Sequence, residues 1–371
     1  MIKICHIITT LGDGGAEKIL YETISSTKSK FDHHVICLSK KNKYYSFLRK
    51  KKIPVYLVNE NNNNFSFFSI LFKTNKIIRD INPNLIQTWL PHSDLIGSLI
   101  GKFRGINKII WNFRVGKINY KNFKFTTNLI FICQKLFSDY LALHIIYNSK
   151  NIKEYFRLNN KNSTYIPNGC RIDKFKHDSV ARKKIRKSLG LDDKTILLSQ
   201  ISRFDILKNN IQFLYSFSNL KNKIKNKNLK CILVGVGNDN KNKYIQNVIK
   251  ELNLKEEVIL LGQTDNVEKI LSATDINFLT SLTEGFPNIV IESLACSAIG
   301  IYPRTGDIPS IVNKDFTYRT GNYTQMENLA EKIINSQKIY KKKLILNRKK
   351  ILNKYSHKVM IEKFDHLWSK I

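Results

Sequence analysis

A doubly wound α/β fold in two successive domains is predicted by three observations. Short apolar runs alternate with longer amphipathic ones along nearly the whole chain of 371 residues, the pattern left by a parallel sheet covered by helices. The alternation pauses over residues 167–178 and then restarts. The length exceeds one ordinary core and suits two domains of ~150 residues or more.

The first run, IKICHII (2–8), reads as a strand. Lys3 and His6 interrupt it, and no small-residue cleavage pattern follows, so it is not a signal peptide. Further strands are expected at 33–39, 53–58, 84–89, 108–113, 144–148 and 163–167, with helices such as 16–27 and 93–103 between them. Ser93 and Asp94 are the expected N-caps of the second of these helices. PNGCRIDKFKHD (167–178) is polar, contains Pro and Gly, and has no sustained period, which makes it the domain boundary. Beyond it a helix ends on Gly190, and strands follow at 196–202, 231–235, 258–262, 276–280 and 298–302. The expected division is a first Rossmann-like domain over 1–170 and a second over 171–356, with a cleft between them. A last amphipathic helix, 357–371, is expected to pack back on the first domain.

Composition narrows the function classes. Hydrophobic residues make up 42% of the chain, enough apolar material to exclude disorder despite a formal net charge of +33. Six cysteines lie far apart without a C-x-x-C pair, so a disulfide framework is not expected, and a reducing cytoplasm is the expected compartment. The longest apolar window, 129–147, carries Lys135, Asp139 and His144, too many charges for a membrane span. The basic excess comes largely from Lys mixed with Asn, as in 61–64 and 219–230. A solvated lysine coat explains it as well as an anionic membrane surface does. Nucleic acid is not expected as a partner, since no arginine-and-aromatic cluster or zinc-finger spacing occurs.

In doubly wound sheets ligands bind outside the carboxyl ends of the strands. Four stretches fall there. In LTEGFPNIVIES (282–293) a strand runs into a loop, and Pro287 is expected in the first turn of a helix. The amides of Gly285, Phe286, Asn288 and Ile289 with the positive helix end form an anion site that needs no metal. Glu284 precedes the helix and Glu292 lies about one turn into it, placed to accept hydrogen bonds from hydroxyls beside a phosphate. That combination suits a nucleotide-sugar. An acidic residue at a helix start is also favoured by the dipole alone, which covers Glu284 but not Glu292 among its apolar neighbours.

The second stretch, QISRFDILKNN (200–210), sends Arg203 out of a strand end and brings Lys208 near a helix start, two cations able to neutralise a leaving diphosphate. The third, TTLGDGGAEKI (9–19), is a glycine-rich first turn in which Gly14 and Gly15 allow close backbone approach. It fails as a dinucleotide fingerprint because Glu17 stands at the third glycine position, GVGND (235–239) also lacks a third glycine, and GSLIGKF (97–103) is one residue short of a P-loop. The fourth, TWLPHSDL, puts His92 just past a strand end. Arg114, after strand 108–113, is a weaker candidate for holding an acceptor or phosphate.

The ordered set EGFPNIVIESLACS (284–297), GGAE (14–17), TWLPHSDLIG, YNS (147–149), IPNG with Asp173 and Phe175, and SRFDILKN (202–209) resembles the retaining glycosyltransferases of family 4, which have the GT-B fold and an E-x7-E motif. The resemblance spans nearly the whole chain. It implies that Arg203 and Lys208 hold the donor diphosphate, Glu284 contacts the donor sugar and Glu292 the ribose. It places His92 beside the reacting sugar and Gly15 near the phosphates. It further implies retention of anomeric configuration with no metal and no cofactor beyond the nucleoside-diphosphate sugar. The expected acceptor is a hydroxyl, lipid-linked or on a lipopolysaccharide or capsule intermediate, with the enzyme peripheral on the inner membrane face. The chain departs from the family pattern at SAIGIYPRTGD (297–307), where Ser297 replaces a glycine and only Gly306 remains of a later pair. A nucleotide-sugar epimerase on the same fold and a charge-driven nucleic-acid binder remain as alternatives.

Overall fold

The computed structural model describes residues 1–12, 14–40, 42–59, 67–114, 125–158 and 162–371; the asparagine run 61–64 lies outside them. The chain divides into two units, Met1–Asn168 with Met360–Ile371, and Gly169–Val359.

The first unit is a parallel sheet of β1 (Ile2–Ile8), β2 (Phe31–Cys37), β3 (Val55–Leu57), β4 (Leu85–Trp89), β5 (Ile109–Phe113), β6 (His144–Tyr147) and β7 (Ser163–Tyr165). Their spatial order is β3-β2-β1-β4-β5-β6-β7, so the winding direction reverses between β1 and β4. The helices are α1 (Gly15–Thr27), α2 (Lys43–Lys50), α3 (Phe67–Ile81), α4 (Pro91–Phe103), α5 (Phe125–Leu141) and α6 (Lys150–Phe156). Ile19 and Leu20 of α1 and Leu48 of α2 share one core with the end of the chain, while Ile78, Ile100, Phe131 and Ile152 of α3–α6 fill the core on the other face. That segregation follows from right-handed crossovers on either side of the reversal.

The second unit is also parallel, with β8 (Ile196–Ile201), β9 (Leu229–Val234), β10 (Val258–Gly262), β11 (Ile276–Phe278), β12 (Ile299–Pro303) and β13 (Thr317–Tyr318) in the order β10-β9-β8-β11-β12-β13. Here the reversal falls between β8 and β11. Its helices are α7 (Ser179–Ser188), α8 (Asn210–Lys223), α9 (Lys243–Glu251), α10 (Val267–Ala273), α11 (Asn288–Ala295), α12 (Ile308–Ile311), α13 (Tyr323–Asn335) and α14 (Gln337–Lys354). Gly190 ends α7 in the left-handed conformation, φ +67°, as its position predicts. The last helix, α15 (His357–Lys370), contributes Phe364, Leu367 and Trp368 to the first unit's core.

Two local expectations about helix starts are corrected. The helix expected at 93–103 begins at Pro91, because Leu90 turns the chain at φ 77° and proline suits a first helical position. Ser93 and Asp94 therefore lie inside the first turn, buried, and do not cap it. Pro287 occupies the N-cap with an extended ψ of 105°, and α11 starts one residue later than expected. The apolar window 129–147 is two elements, the end of α5 and all of β6. The glycines of the near P-loop serve packing: a Cβ on Gly97 would stand 2.6 Å from Thr88 Cγ2, and one on Gly101 2.8 Å from Ile109 Cδ1.

Two buried polar networks brace the units. In the first, Trp89 Nε1 donates to His6 Nδ1 (3.3 Å), His6 Nε2 meets His33 Nδ1 (3.0 Å), and His33 Nε2 meets Thr27 Oγ1 (2.9 Å). Thr27 in turn donates to the Thr23 carbonyl (2.8 Å). The two ends fix every tautomer, so both imidazoles are neutral donors at Nε2. Burial accordingly lowers the pKa of both, that of His33 to about 4. In the second unit Arg186, buried, donates to Asp275 Oδ2 (3.1 Å) and to the carbonyls of Asp192 (2.6 Å) and Ala273 (3.2 Å). Asp275 also accepts from Arg182 (2.8 Å) and the Leu197 amide (2.9 Å). Neither network was visible in the sequence.

Candidate active site

Except for Arg114, which follows β5, the residues selected from sequence collect at the two winding reversals, where strand ends splay apart and leave a crevice. In the second unit the segment after β8 carries Arg203 and Lys208, and the segment after β11 carries Glu284–Ile289. The two segments are clamped together. Thr280 Oγ1 donates to the carbonyls of Lys208 (2.9 Å) and Asn209 (3.0 Å), Gln200 Nε2 reaches the Lys208 carbonyl (3.3 Å), and the Leu282 amide bonds the Leu207 carbonyl (2.9 Å). Lys208 is thus fixed at its backbone before its side chain is used.

That side chain donates to Glu284 Oε1 across 2.6 Å, with the Glu284 side chain only 10% exposed and that of Lys208 25%. Glu284 therefore has one oxygen committed and one edge left for a hydroxyl, since a carboxylate accepts at several lone-pair sites. Arg203 is unlike it. Its Nε donates to Asp205 Oδ2 (3.0 Å) while the side chain stays 63% exposed. Asp205 is itself held, its Oδ1 accepting from the Leu207 amide (2.8 Å), so the guanidinium is tethered loosely to a rigid turn.

A third loop, after β12, completes the arrangement. Gly306, at φ +56°, lies against the chain at Glu284 and Gly285; a Cβ there would stand 2.3 Å from the Gly285 carbonyl oxygen. The Asp307 amide donates to that same carbonyl (3.1 Å). This holds the peptide ahead of α11 so that the start of the helix, with Phe286, Pro287, Asn288 and Ile289, keeps its direction. Glu292 lies in α11 with 8% exposure. Ser297 follows the helix at φ 61°, a left-handed position that explains why a glycine would suit it. Ser281 Oγ and Asn238 Oδ1 are buried beside these loops without a protein partner among the described residues, leaving polar capacity unfilled. Sequence reasoning missed Thr280, Asn238 and Asp307. Their signal was only a polar residue at a strand end or helix start, which many loops share.

The first unit repeats the arrangement at β1 and β4. Gly14 is the N-cap of α1 and Gly15 its first residue. A Cβ on Gly14 would stand 2.2 Å from Glu17 Oε2, so the missing side chain leaves room for the Glu17 carboxylate to fold back over the helix start. His92 is in the first turn of α4, set there by the Leu90 turn, and partial burial lowers its pKa, favouring a neutral imidazole. Thr9 Oγ1 and Ser93 Oγ meet at 3.1 Å and tie the two loops together. Asp94 accepts from Thr88 and from Gln134 (2.5 Å), and burial raises its pKa well above the usual carboxylate range. Arg114 is committed locally: Nε donates to Asn112 Oδ1 (3.0 Å), Nη1 to Asn168, and its carbon lies 5.3 Å from the Trp89 ring centre. Burial lowers its pKa to about 9. His92, Gly14, Gly15 and Arg114 thus belong to the first unit, and the other selected residues to the second.

Comparison with known proteins gives this geometry a context. The family model described as glycosyl transferases group 1 matches residues 181–351, all within the second unit. Among curated proteins, the Campylobacter jejuni N-acetylgalactosamine-N,N'-diacetylbacillosaminyl-diphospho-undecaprenol 4-alpha-N-acetylgalactosaminyltransferase is 26% identical over 318 residues, covering 80% of this chain and 79% of the relative. The Escherichia coli UDP-Gal:alpha-D-GlcNAc-diphosphoundecaprenol alpha-1,3-galactosyltransferase is 22% identical over 300 residues, 79% of this chain and 76% of its own length. Among solved structures, Anabaena HepE in complex with UDP and glucose superposes with a TM-score of 0.86 at 17% identity, covering all of both chains. The chain is a glycosyltransferase with the GT-B fold of two Rossmann-like domains.

Proposed function

We infer that this glycosyltransferase moves a sugar from a nucleoside-diphosphate sugar to a hydroxyl acceptor with retention of anomeric configuration and without a metal, as the family 4 resemblance implies. The observation that carries the reading is the Lys208–Glu284 pair at the β8/β11 reversal, one turn ahead of the start of α11. A cation, a carboxylate and a helix N-terminus within one rigid set of loops match the three parts of such a donor: diphosphate, hydroxyls and developing charge.

In the reaction the bond from the anomeric carbon to the diphosphate oxygen breaks, and positive charge develops on the sugar. Lys208, Arg203 and the amides of Gly285, Phe286, Asn288 and Ile289 take up the negative charge on the leaving diphosphate. Glu284 accepts from the donor-sugar hydroxyls and favours the oxocarbenium-like state, while Glu292 accepts from the ribose. The acceptor oxygen bonds the same face of the anomeric carbon, and its proton passes to the departing diphosphate oxygen. The family 4 resemblance further implies roles for His92, by the reacting sugar, and for Gly15, near the phosphates.

The relatives named for diphospho-undecaprenol acceptors, together with a Staphylococcus aureus capsular polysaccharide glycosyltransferase at 22% identity, support a lipid-linked or surface-polysaccharide acceptor. The reading also places the enzyme peripherally at the inner membrane face. The test is incubation with a panel of nucleotide-sugars and a polyprenyl-diphosphate-linked sugar, with and without EDTA, followed by NMR of the product anomer. An α-donor giving an α-product at undiminished rate in EDTA supports the reading. An inverted product, loss of rate in EDTA, or a converted sugar released without acceptor counts against it.

A further inference from the structure

The helix α5 is amphipathic the wrong way round for a helix packed on a sheet. Its buried positions are Phe131, Gln134 and Ser138, two of them polar. Phe125, Leu129, Ile132, Leu136 and Tyr140 are all exposed, Leu136 by 70% and Tyr140 by 78%. At about 100° per residue these five fall within an arc of roughly 80°, one continuous apolar stripe turned to solvent. The pattern extends to its neighbours. The helix α4 packs against both α3 and α5, and Arg104, just past its end, donates to Asn75 of α3 (2.6 Å). On α3 the exposed residues include Phe68 and Phe72, one turn apart, and on α4 Leu99 and Phe103. Monomeric soluble proteins seldom leave aromatic and aliphatic groups on the outer faces of three adjacent helices.

The charges around this face indicate its partner. Exposed Lys73, Lys76, Arg79, Lys102 and Lys135 lie on the same three helices, against only Asp80, already paired with Arg79, and Asp139. A second copy of the chain would bring its own +33 against that field, so self-association is opposed by repulsion. An anionic bilayer complements both features, taking the apolar stripe below the headgroups and the lysines at them. No described helix is long and apolar enough to cross a membrane, which fits a helix lying in the interface plane.

We propose that the outer face of α3, α4 and α5 docks the first unit on an anionic lipid surface, with the α5 stripe inserted and Lys73, Lys76, Lys102 and Lys135 on the headgroups. The proposal specifies the membrane partner of the transferase reading and rests on it for its biological purpose. Its geometry needs only the exposed stripe and the charges.

The test is co-sedimentation of the full chain with vesicles of phosphatidylcholine alone or mixed with phosphatidylglycerol, without donor or acceptor. Binding is expected to the mixed vesicles, weaker on phosphatidylcholine alone and weaker at high salt. Leu129→Glu with Leu136→Glu should lower binding by about tenfold or more at an unchanged melting temperature. If that variant melts early, Phe72→Ser with Phe103→Ser carries the same expectation. Undiminished binding by a folded variant overturns the proposal. So does absence of binding to either vesicle, or a concentration-dependent dimer that the variants abolish, which would make the face a self-interface. Because the vesicles contain no acceptor and nothing turns over, failure of the transferase reading would appear only in the donor assay.

Discussion

Lys208 Nζ donates to Glu284 Oε1 over 2.6 Å, joining two residues 76 positions apart on the loops that follow β8 and β11. The pair lies at the winding reversal of the second unit and both members are largely shielded. If they act on donor as a unit, Lys208→Ala and Glu284→Ala should each reduce donor turnover by about tenfold or more. The double variant should fall short of the product of the two losses, with a coupling of about 1 kcal/mol or more in a double-mutant cycle. Additive losses would show that the contact has no role in donor use.

Gly306 and Ser297 give opposite expectations from the same backbone rule. Gly306→Ala adds a Cβ 2.3 Å from the Gly285 carbonyl oxygen at φ +56°, so the loop before α11 must shift. Stability should fall by about 1 kcal/mol or more, and donor affinity should fall with it. Ser297→Gly relieves a left-handed serine at φ 61° and should raise stability by about 0.5–1 kcal/mol. Denaturant melts of both variants check the signs.

Acid should weaken the first unit through its buried histidines. Their folded pKa values are depressed, His33 to about 4 from an ordinary 6.5, although Asp32 pulls His33 the other way. Above 6.5 neither state binds the protons, and nothing is lost. Below it the unfolded chain takes them up first, so stability falls by about 1.4 kcal/mol per pH unit per histidine until the folded pKa is reached. Melting curves between pH 7 and pH 4.5 should show this slope, and His33→Gln should flatten it. An equal slope in the variant would assign the effect elsewhere.

Arg186→Met should destabilise the second unit by about 3–5 kcal/mol, because it leaves Asp275 buried with one of its two guanidinium partners gone. Restoration to wild-type stability by Asp275→Asn in the same chain would fit this account; equal destabilisation with either Asp or Asn there would not. Urea denaturation measures both.

The strand and helix alternation was legible because apolar runs bounded by turn residues carry it directly, and the residues at both reversals were identifiable by their place after strands. Local starts were less so. Ser93 and Asp94 look like caps, yet the turn at Leu90 put them inside the helix, where Ser93 meets Thr9 and Asp94 accepts from Gln134 of α5. The Lys208–Glu284 contact, the Arg186–Asp275 bond and the relay from Trp89 to Thr27 join residues distant in sequence, and spacing cannot report them. The α5 stripe lay within the apolar window 129–147, and an apolar window does not say which residues face a sheet and which face solvent.

The most direct test is thermal denaturation of the full chain with UDP, GDP or ADP, alone and as their sugars. The account predicts that one nucleoside diphosphate, at about 100 times its dissociation constant, adds about 2.7 kcal/mol of stability. Lys208→Ala and Glu284→Ala should lose most of that gain. Stabilisation by no nucleotide, or an unchanged gain in both variants, would contradict a donor site on these loops.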